Sequence, residues 1–177
     1  ERRRVYIYLP DEYYEKPKRQ YPVLYMFDGH NVFYDEDATY GKSWGMEQYL
    51  QKSGRKLMAV ALESSRAPDY GRLKEYAPFS FTTEETGGII GNGDITMDWI
   101  VQVLKRTVDT QYRTKADRRH TFLAGSSMGG LMTLYGLLAY PEVFSRGAAL
   151  SPSLWIDAEK VKAMIRHARV KRNTVLY

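Results

Sequence analysis

The heptapeptide Ala124-Gly125-Ser126-Ser127-Met128-Gly129-Gly130 joins the apolar run Thr121-Phe122-Leu123 to a helix-like segment, Leu131 to Leu138. Gly125, Ser127 and Gly129 fill the pattern G-x-S-x-G, a nucleophile elbow in which small neighbours permit a strained strand-to-helix turn that lifts the serine oxygen above a sheet. Ser127 is thus the candidate nucleophile, and Ser126 is expected to support the turn. A serine hydroxyl attacks poorly at neutral pH, so the chemistry also needs a base at that hydroxyl and donors where an oxyanion develops. Backbone supplies such donors. One is the N–H of Met128, directly after the serine, and the second is expected from the loop after an earlier strand, here His30 in Asp28-Gly29-His30.

The base is harder to find. Of the three histidines, His120 opens the serine strand and lies about 16 Å from the turn at about 3.3 Å per residue. His167 sits near the end of a helix that runs back from the serine edge. Only His30 is on that edge, but it precedes the serine, whereas triads on such turns follow the order serine, acid, histidine. It is read as a backbone donor or a loop residue. Asp28 is expected to fix its own turn by bonding nearby N–H groups, and Asp157 would serve only a rearranged triad. The acid and histidine are therefore expected after Tyr177. The chain also begins at Glu1 without an initiator Met, so a trimmed sequence is expected.

The elements that must hold these residues follow from apolar patterning. Arg4 to Leu9 reads as an edge strand closed by Pro10-Asp11, while Tyr21 to Phe27 and Lys56 to Leu62 are nearly unbroken apolar runs, as expected of strands covered on both faces. A short helix is expected over Met46 to Lys52. Apolar residues recur at helical spacing from Ile95 to Tyr112, giving an amphipathic helix. Gly147 to Leu150 reads as a strand, Asp157 to Ala168 as a helix, and a last strand starts near Asn173. Ser64 to Asp94 is rich in glycine and proline and is read as an irregular, substrate-facing rim. Alternating strands and helices predict a mostly parallel sheet with helices on both faces, in one domain spanning residues 1–177. The loops at Asp28 to Asn31, Glu63 to Arg66, Ser126 to Met128 and Ser151 to Trp155 then share one edge and line one cleft.

Composition agrees with a single packed domain, since 177 residues at 44% hydrophobic content can bury a sizeable core. The net charge of +5 comes largely from the two ends, Glu1 to Arg4 and Arg166 to Arg172, with no aromatic and basic recognition motif beside them. Nucleic acid is not an expected partner. No apolar run approaches the roughly 18 residues that span a bilayer, so no membrane contact is expected. The absence of cysteine excludes disulfides and thiolate chemistry; it leaves the compartment open, with the cytoplasm as the working expectation, and the oligomeric state is open too.

Four motifs together carry a family resemblance: Ala124-Gly-Ser-Ser-Met-Gly-Gly130, Leu24-Tyr-Met-Phe-Asp-Gly-His-Asn31, Arg72-Leu-Lys-Glu-Tyr-Ala-Pro78 and Leu150-Ser-Pro-Ser153. In combination they resemble the putative-esterase family of α/β-hydrolases, which includes esterase D, enterochelin-esterase-like and feruloyl or acetylxylan esterase-like proteins. The resemblance covers nearly the whole chain. It implies a three-layer α/β-hydrolase fold, here cut short at the C-terminal end, and hydrolysis of a small-molecule carboxylic ester by a serine, histidine and acid without metal or organic cofactor. Trp44, Arg72 and Trp155, with Glu75 and Tyr76 nearby, are candidates to shape the substrate pocket, although Arg72 and Glu75 can equally pair with each other and Trp155 can simply pack. Two other functions fit the same turn: a non-catalytic binding module on this scaffold, and acyl transfer to an alcohol other than water.

Overall fold

In a computed structural model, residues 3–177 are described, so Glu1 and Arg2 of the basic N-terminal cluster lie outside the described residues. In chain order the elements are β1 (Val5–Tyr8), β2 (Val23–Met26), α1 (Met46–Ser53), β3 (Met58–Leu62), α2 (Gly71–Glu75), β4 (Phe81–Thr83) and β5 (Gly87–Ile89). Next come α3 (Gly93–Trp99), a π turn (Ile100–Leu104), α4 (Lys105–Gln111), β6 (Thr121–Ser126), α5 (Met128–Ala139), β7 (Arg146–Leu150), α6 (Ala158–His167) and β8 (Val175–Leu176).

The main sheet has the order β1-β3-β2-β6-β7-β8. Only β1 runs antiparallel to its neighbour, and all other pairs are parallel. All five residues of β3 are buried, which explains its unbroken apolar run: a strand covered on both faces has no solvent side to mark with polar residues. Successive side chains then serve opposite cores. Tyr25, Phe27, Val60, Leu62 and Leu123 pack with Met97, Ile100, Leu104 and Val108 of the α3–α4 helix and with Leu131, Met132 and Leu137 of α5. Met26, Ala59, Ala61 and Ala124 face the other way, towards Leu50 of α1 and Val32 and Phe33. The result is the expected three layers.

The segment from Ser64 to Asp94 departs from the irregular rim expected of it. It folds into α2 and a two-stranded hairpin, β4 with β5. Both are too short for periodicity to register: five residues make little more than one helical turn, and three make too brief an alternation to read. The expected helix over Ile95 to Tyr112 starts two residues earlier, at Gly93, and contains the π turn at Ile100–Leu104. Among the described residues, no helix is long and apolar enough to cross a membrane.

Candidate active site

From β2 the chain moves outward to β3, then returns to β6 on the opposite side of β2 and continues to β7. The position beyond the carboxyl ends of β2 and β6 is therefore the switch point of the sheet, where open α/β folds bind ligands. Register holds the two strands level, with Met26 opposite Ala124. The Asp28 turn and the Ser127 turn consequently leave the sheet side by side.

Ser127 has φ 57° and ψ −118°, a strained conformation for a residue with a side chain. Its surroundings over-determine it. The Ser127 N–H donates to the Leu150 carbonyl at 3.0 Å, and its own carbonyl accepts from the N–H groups of Leu131 and Ser153, each at 3.0 Å. Glycine is required on both sides by close approach: a Cβ on Gly125 would lie 2.4 Å from the Gly129 carbonyl oxygen, and one on Gly129 would lie 2.9 Å from Phe27 Cβ. Ser127 is left exposed while the next residue, Met128, is buried. The Ser127 hydroxyl lies 3.1 Å from the hydroxyl of Ser153, which is buried in the turn after β7.

Two turns at this edge begin with amides that lack an internal acceptor. As the first residues of α5, Met128 and Gly129 have no intrahelical acceptor for their N–H groups. The same holds for Gly29 and His30, which open the short 3-10 turn Gly29–Asn31 after β2.

Asp28 precedes that turn in the left-handed region, with φ 56° and ψ 50°. Its carboxylate does not fix its own turn as expected; it faces α2 instead. Arg72 donates to it twice, Nε to Oδ1 at 2.6 Å and Nη2 to Oδ2 at 2.8 Å, and the Asp28 N–H donates to Tyr76 Oη at 3.1 Å. Arg72 thus pairs with Asp28 and not with Glu75, whose carboxylate accepts from Arg3 and from the Ser65 N–H. Burial opposes the Arg72 charge, but the Asp28 carboxylate outweighs it and leaves the guanidinium pKa raised. Complete burial pushes the Tyr76 phenol well above its ordinary value, so it stays protonated.

The remaining candidates are spread out. The His30 ring is buried, with Nε2 3.1 Å from Thr39 Oγ1 and Nδ1 without a partner, and burial lowers its pKa. His120 Nδ1 lies 2.7 Å from Asp117 Oδ2 at the other edge of the sheet, and His167 Nδ1 donates to the Ala163 carbonyl at 2.7 Å. Among the described residues, no histidine bonds Ser127. Asp157 caps α6 by accepting the Lys160 N–H at 3.0 Å. The Trp44 N–H donates to the Asn31 carbonyl at 2.8 Å, which ties the Trp44 loop to the turn after β2. Trp155 does not pack: it is 72% exposed just beyond Ser153. Among the described residues, no cluster of three or more His, Asp or Glu side chains could hold a metal ion.

Sequence reasoning placed Ser153 on this edge only within the loop Ser151 to Trp155 and Tyr76 only among the pocket candidates; it missed the contact of Ser153 with Ser127 and the bond of Tyr76 to the Asp28 N–H. Both lie inside motifs that carry the family resemblance, Leu150-Ser-Pro-Ser153 and Arg72 to Pro78, and that was the available signal.

A family model described as "Putative esterase" matches residues 1–174. Over 162 residues the chain is 24% identical to the uncharacterized protein YbbA of Bacillus subtilis, covering 88% of this chain and 58% of that protein. Over 157 residues it is 28% identical to an endo-1,4-beta-xylanase/feruloyl esterase of Xylanibacter ruminicola, covering 86% of this chain and 20% of the other. The fold is shared with an IroE-like serine hydrolase from Shewanella oneidensis, at a TM-score of 0.74 and 24% identity over 93% of this chain and 50% of that one. The chain therefore spans between a fifth and three fifths of the length of these relatives.

Proposed function

Because the chain belongs to the Putative esterase family, we propose that it hydrolyses small-molecule carboxylic esters through an acyl-enzyme on Ser127. One observation carries the nucleophile: an exposed serine held at φ 57° at the carboxyl end of a central parallel strand, beside amides without internal acceptors. In this reading Ser127 Oγ adds to the ester carbonyl carbon and the carbonyl electrons move onto oxygen. The N–H groups of Met128 and His30 donate to that oxyanion. Collapse expels the alcohol, and water then adds to the acyl-enzyme and releases the acid. Trp44, Arg72 and Trp155 are the candidates in this reading to shape the ester pocket.

Attack also requires a base to take the Ser127 proton. The Ser153 hydroxyl is too weakly basic to keep it, and His30 is engaged by Thr39. In the esterase reading that base and its acid follow Tyr177; the second reading, a binding module on an esterase scaffold, needs neither. A fluorophosphonate probe applied to the full-length protein separates the two. Covalent labelling of the wild-type protein, abolished in Ser127→Ala together with a loss of at least about 10³-fold in p-nitrophenyl acetate hydrolysis, is the expected result. Equal labelling of Ser127→Ala would reject the nucleophile assignment, and a folded wild type that neither labels nor hydrolyses would favour the binding module.

A further inference from the structure

The residue just before the second proposed oxyanion donor is gripped from outside its own loop. Arg72 and Tyr76, four apart on and just after α2, stack along one side of that turn and reach the same target. Arg72 takes the Asp28 carboxylate with a two-pronged bond, and Tyr76 Oη takes the Asp28 N–H. The two also support each other, the Arg72 guanidinium lying 5.4 Å from the centre of the Tyr76 ring. The Tyr76 ring in turn meets Phe27 edge-on at 5.1 Å and 74°, so the grip extends to the residue before Asp28. On the other side, Gly29 is pressed onto the end of β3: a Cβ there would come within 2.5 Å of the Ala61 carbonyl oxygen.

We propose that α2 is a positioning clamp for the oxyanion donor loop: Arg72 and Tyr76 hold Asp28 in its left-handed conformation and thereby aim the His30 N–H at the space above Ser127. The inference rests on the serine-esterase reading given above. A left-handed backbone costs a residue other than glycine roughly 1–2 kcal/mol, so an unrestrained Asp28 would relax and rotate the next peptides. Two amides later, that rotation moves a donor whose value depends on pre-set direction. The clamp is built for such a task. An arginine fork on a carboxylate fixes orientation as well as distance, and Asp28 is 2% exposed, so water does not compete for it. The same pairing redefines Arg72. Its Nε and one Nη are committed to Asp28, and the neighbouring carboxylate offsets its charge, which makes it a poor primary site for an anionic substrate group.

The test is made in the full-length protein and compares wild type with Arg72→Lys, Tyr76→Phe and, as a control, Tyr140→Phe. The control removes a tyrosine hydroxyl bond to Asp98 at the far end of α5. Tyr76→Phe keeps the buried ring and deletes only the acceptor of the Asp28 N–H, so it remains informative if Arg72→Lys folds poorly. Amide hydrogen exchange over residues 28–32 is expected to quicken in both clamp variants and to stay at the wild-type rate in Tyr140→Phe. For p-nitrophenyl acetate, kcat is expected to fall about tenfold or more in the clamp variants with KM nearly unchanged, because a misaimed donor is lost chiefly in the transition state. Unchanged exchange and kcat in both clamp variants would overturn the clamp. So would a raised KM at constant kcat, which would make Arg72 a substrate contact. Failure of wild type to label with the fluorophosphonate would instead reject the esterase reading, and the exchange comparison would still decide whether α2 holds the turn.

Discussion

The two edges of the sheet hold similar chemistry and differ in what the backbone is made to do. At the amino edge, His120 and Asp117 sit 2.7 Å apart and Arg118 donates to the Pro141 carbonyl and to Thr174, all through ordinary caps and turns. At the carboxyl edge, the residues following β2, β6 and β7 include Asp28, Ser127 and Ser151, each with a positive φ. Among the described residues other than glycine, the amino edge has one of these, Asn173, of a type that tolerates the left-handed region. If the proposed site at Ser127 holds, a histidine paired with an acid is the weaker guide to a site in this molecule. Strain enforced by neighbouring elements is the stronger one, because it persists only where several contacts over-determine it.

That contrast can be broken first at glycine. Gly125→Ala puts a Cβ 2.4 Å from the Gly129 carbonyl oxygen, where backbone and not a flexible side chain must yield. A loss of about 3 kcal/mol or more is expected by denaturant titration. Gly54→Ala, in the turn after α1, has a positive φ but no atom within 4 Å of its new Cβ, and should lose only about 1 kcal/mol. Equal losses would mean that close packing at the carboxyl edge is no tighter than a surface turn.

These differences bear on how much could be read from residues alone. Strands β2 and β3 were legible because burial on both faces removes polar residues and leaves unbroken apolar runs at Tyr21 to Phe27 and Lys56 to Leu62. The Ser127 turn was legible because its strain has a local glycine signature. The clamp was not: Arg72 lies 44 positions from Asp28, and Glu75, three residues away, offered a nearer apparent partner. Helix α2 itself is too short for periodicity to detect. Ser153 was visible only as part of a motif, since its hydroxyl gains meaning from Ser127, 26 residues earlier.

A second comparison uses the two buried serines that bracket β7. Ser145, before the strand, has a buried hydroxyl without a partner, whereas that of Ser153, after it, faces Ser127 Oγ. Ser145→Ala should be neutral or slightly stabilising, because it deletes an unsatisfied polar atom. Ser153→Ala should lower stability by about 1 kcal/mol and slow fluorophosphonate labelling by up to about tenfold, as the Ser127 rotamer loses its restraint. Thermal melts and labelling time courses read both effects. Identical behaviour of the two variants would remove Ser153 from the proposed site.

The smallest expected effect sets His30 against the Asp117 pair through pH. Burial lowers the His30 pKa from its ordinary 6.5, so the unfolded chain binds this proton more readily than the folded one. Stability from neutral His30 is then complete above about pH 6.5 and declines as pH falls through the folded value. Asp117 also has a lowered pKa, chiefly through its bond to His120, but its contribution is retained above 3.8 and lost only as pH drops below that. Its side chain is 52% exposed, so solvent screening keeps the contribution small. Melting temperatures measured from about pH 7 to 5 should therefore flatten in His30→Gln and keep their wild-type slope in Asp117→Asn. A reversed pattern would undo the distinction between the buried His30 ring and the more exposed Asp117 bond at the amino edge.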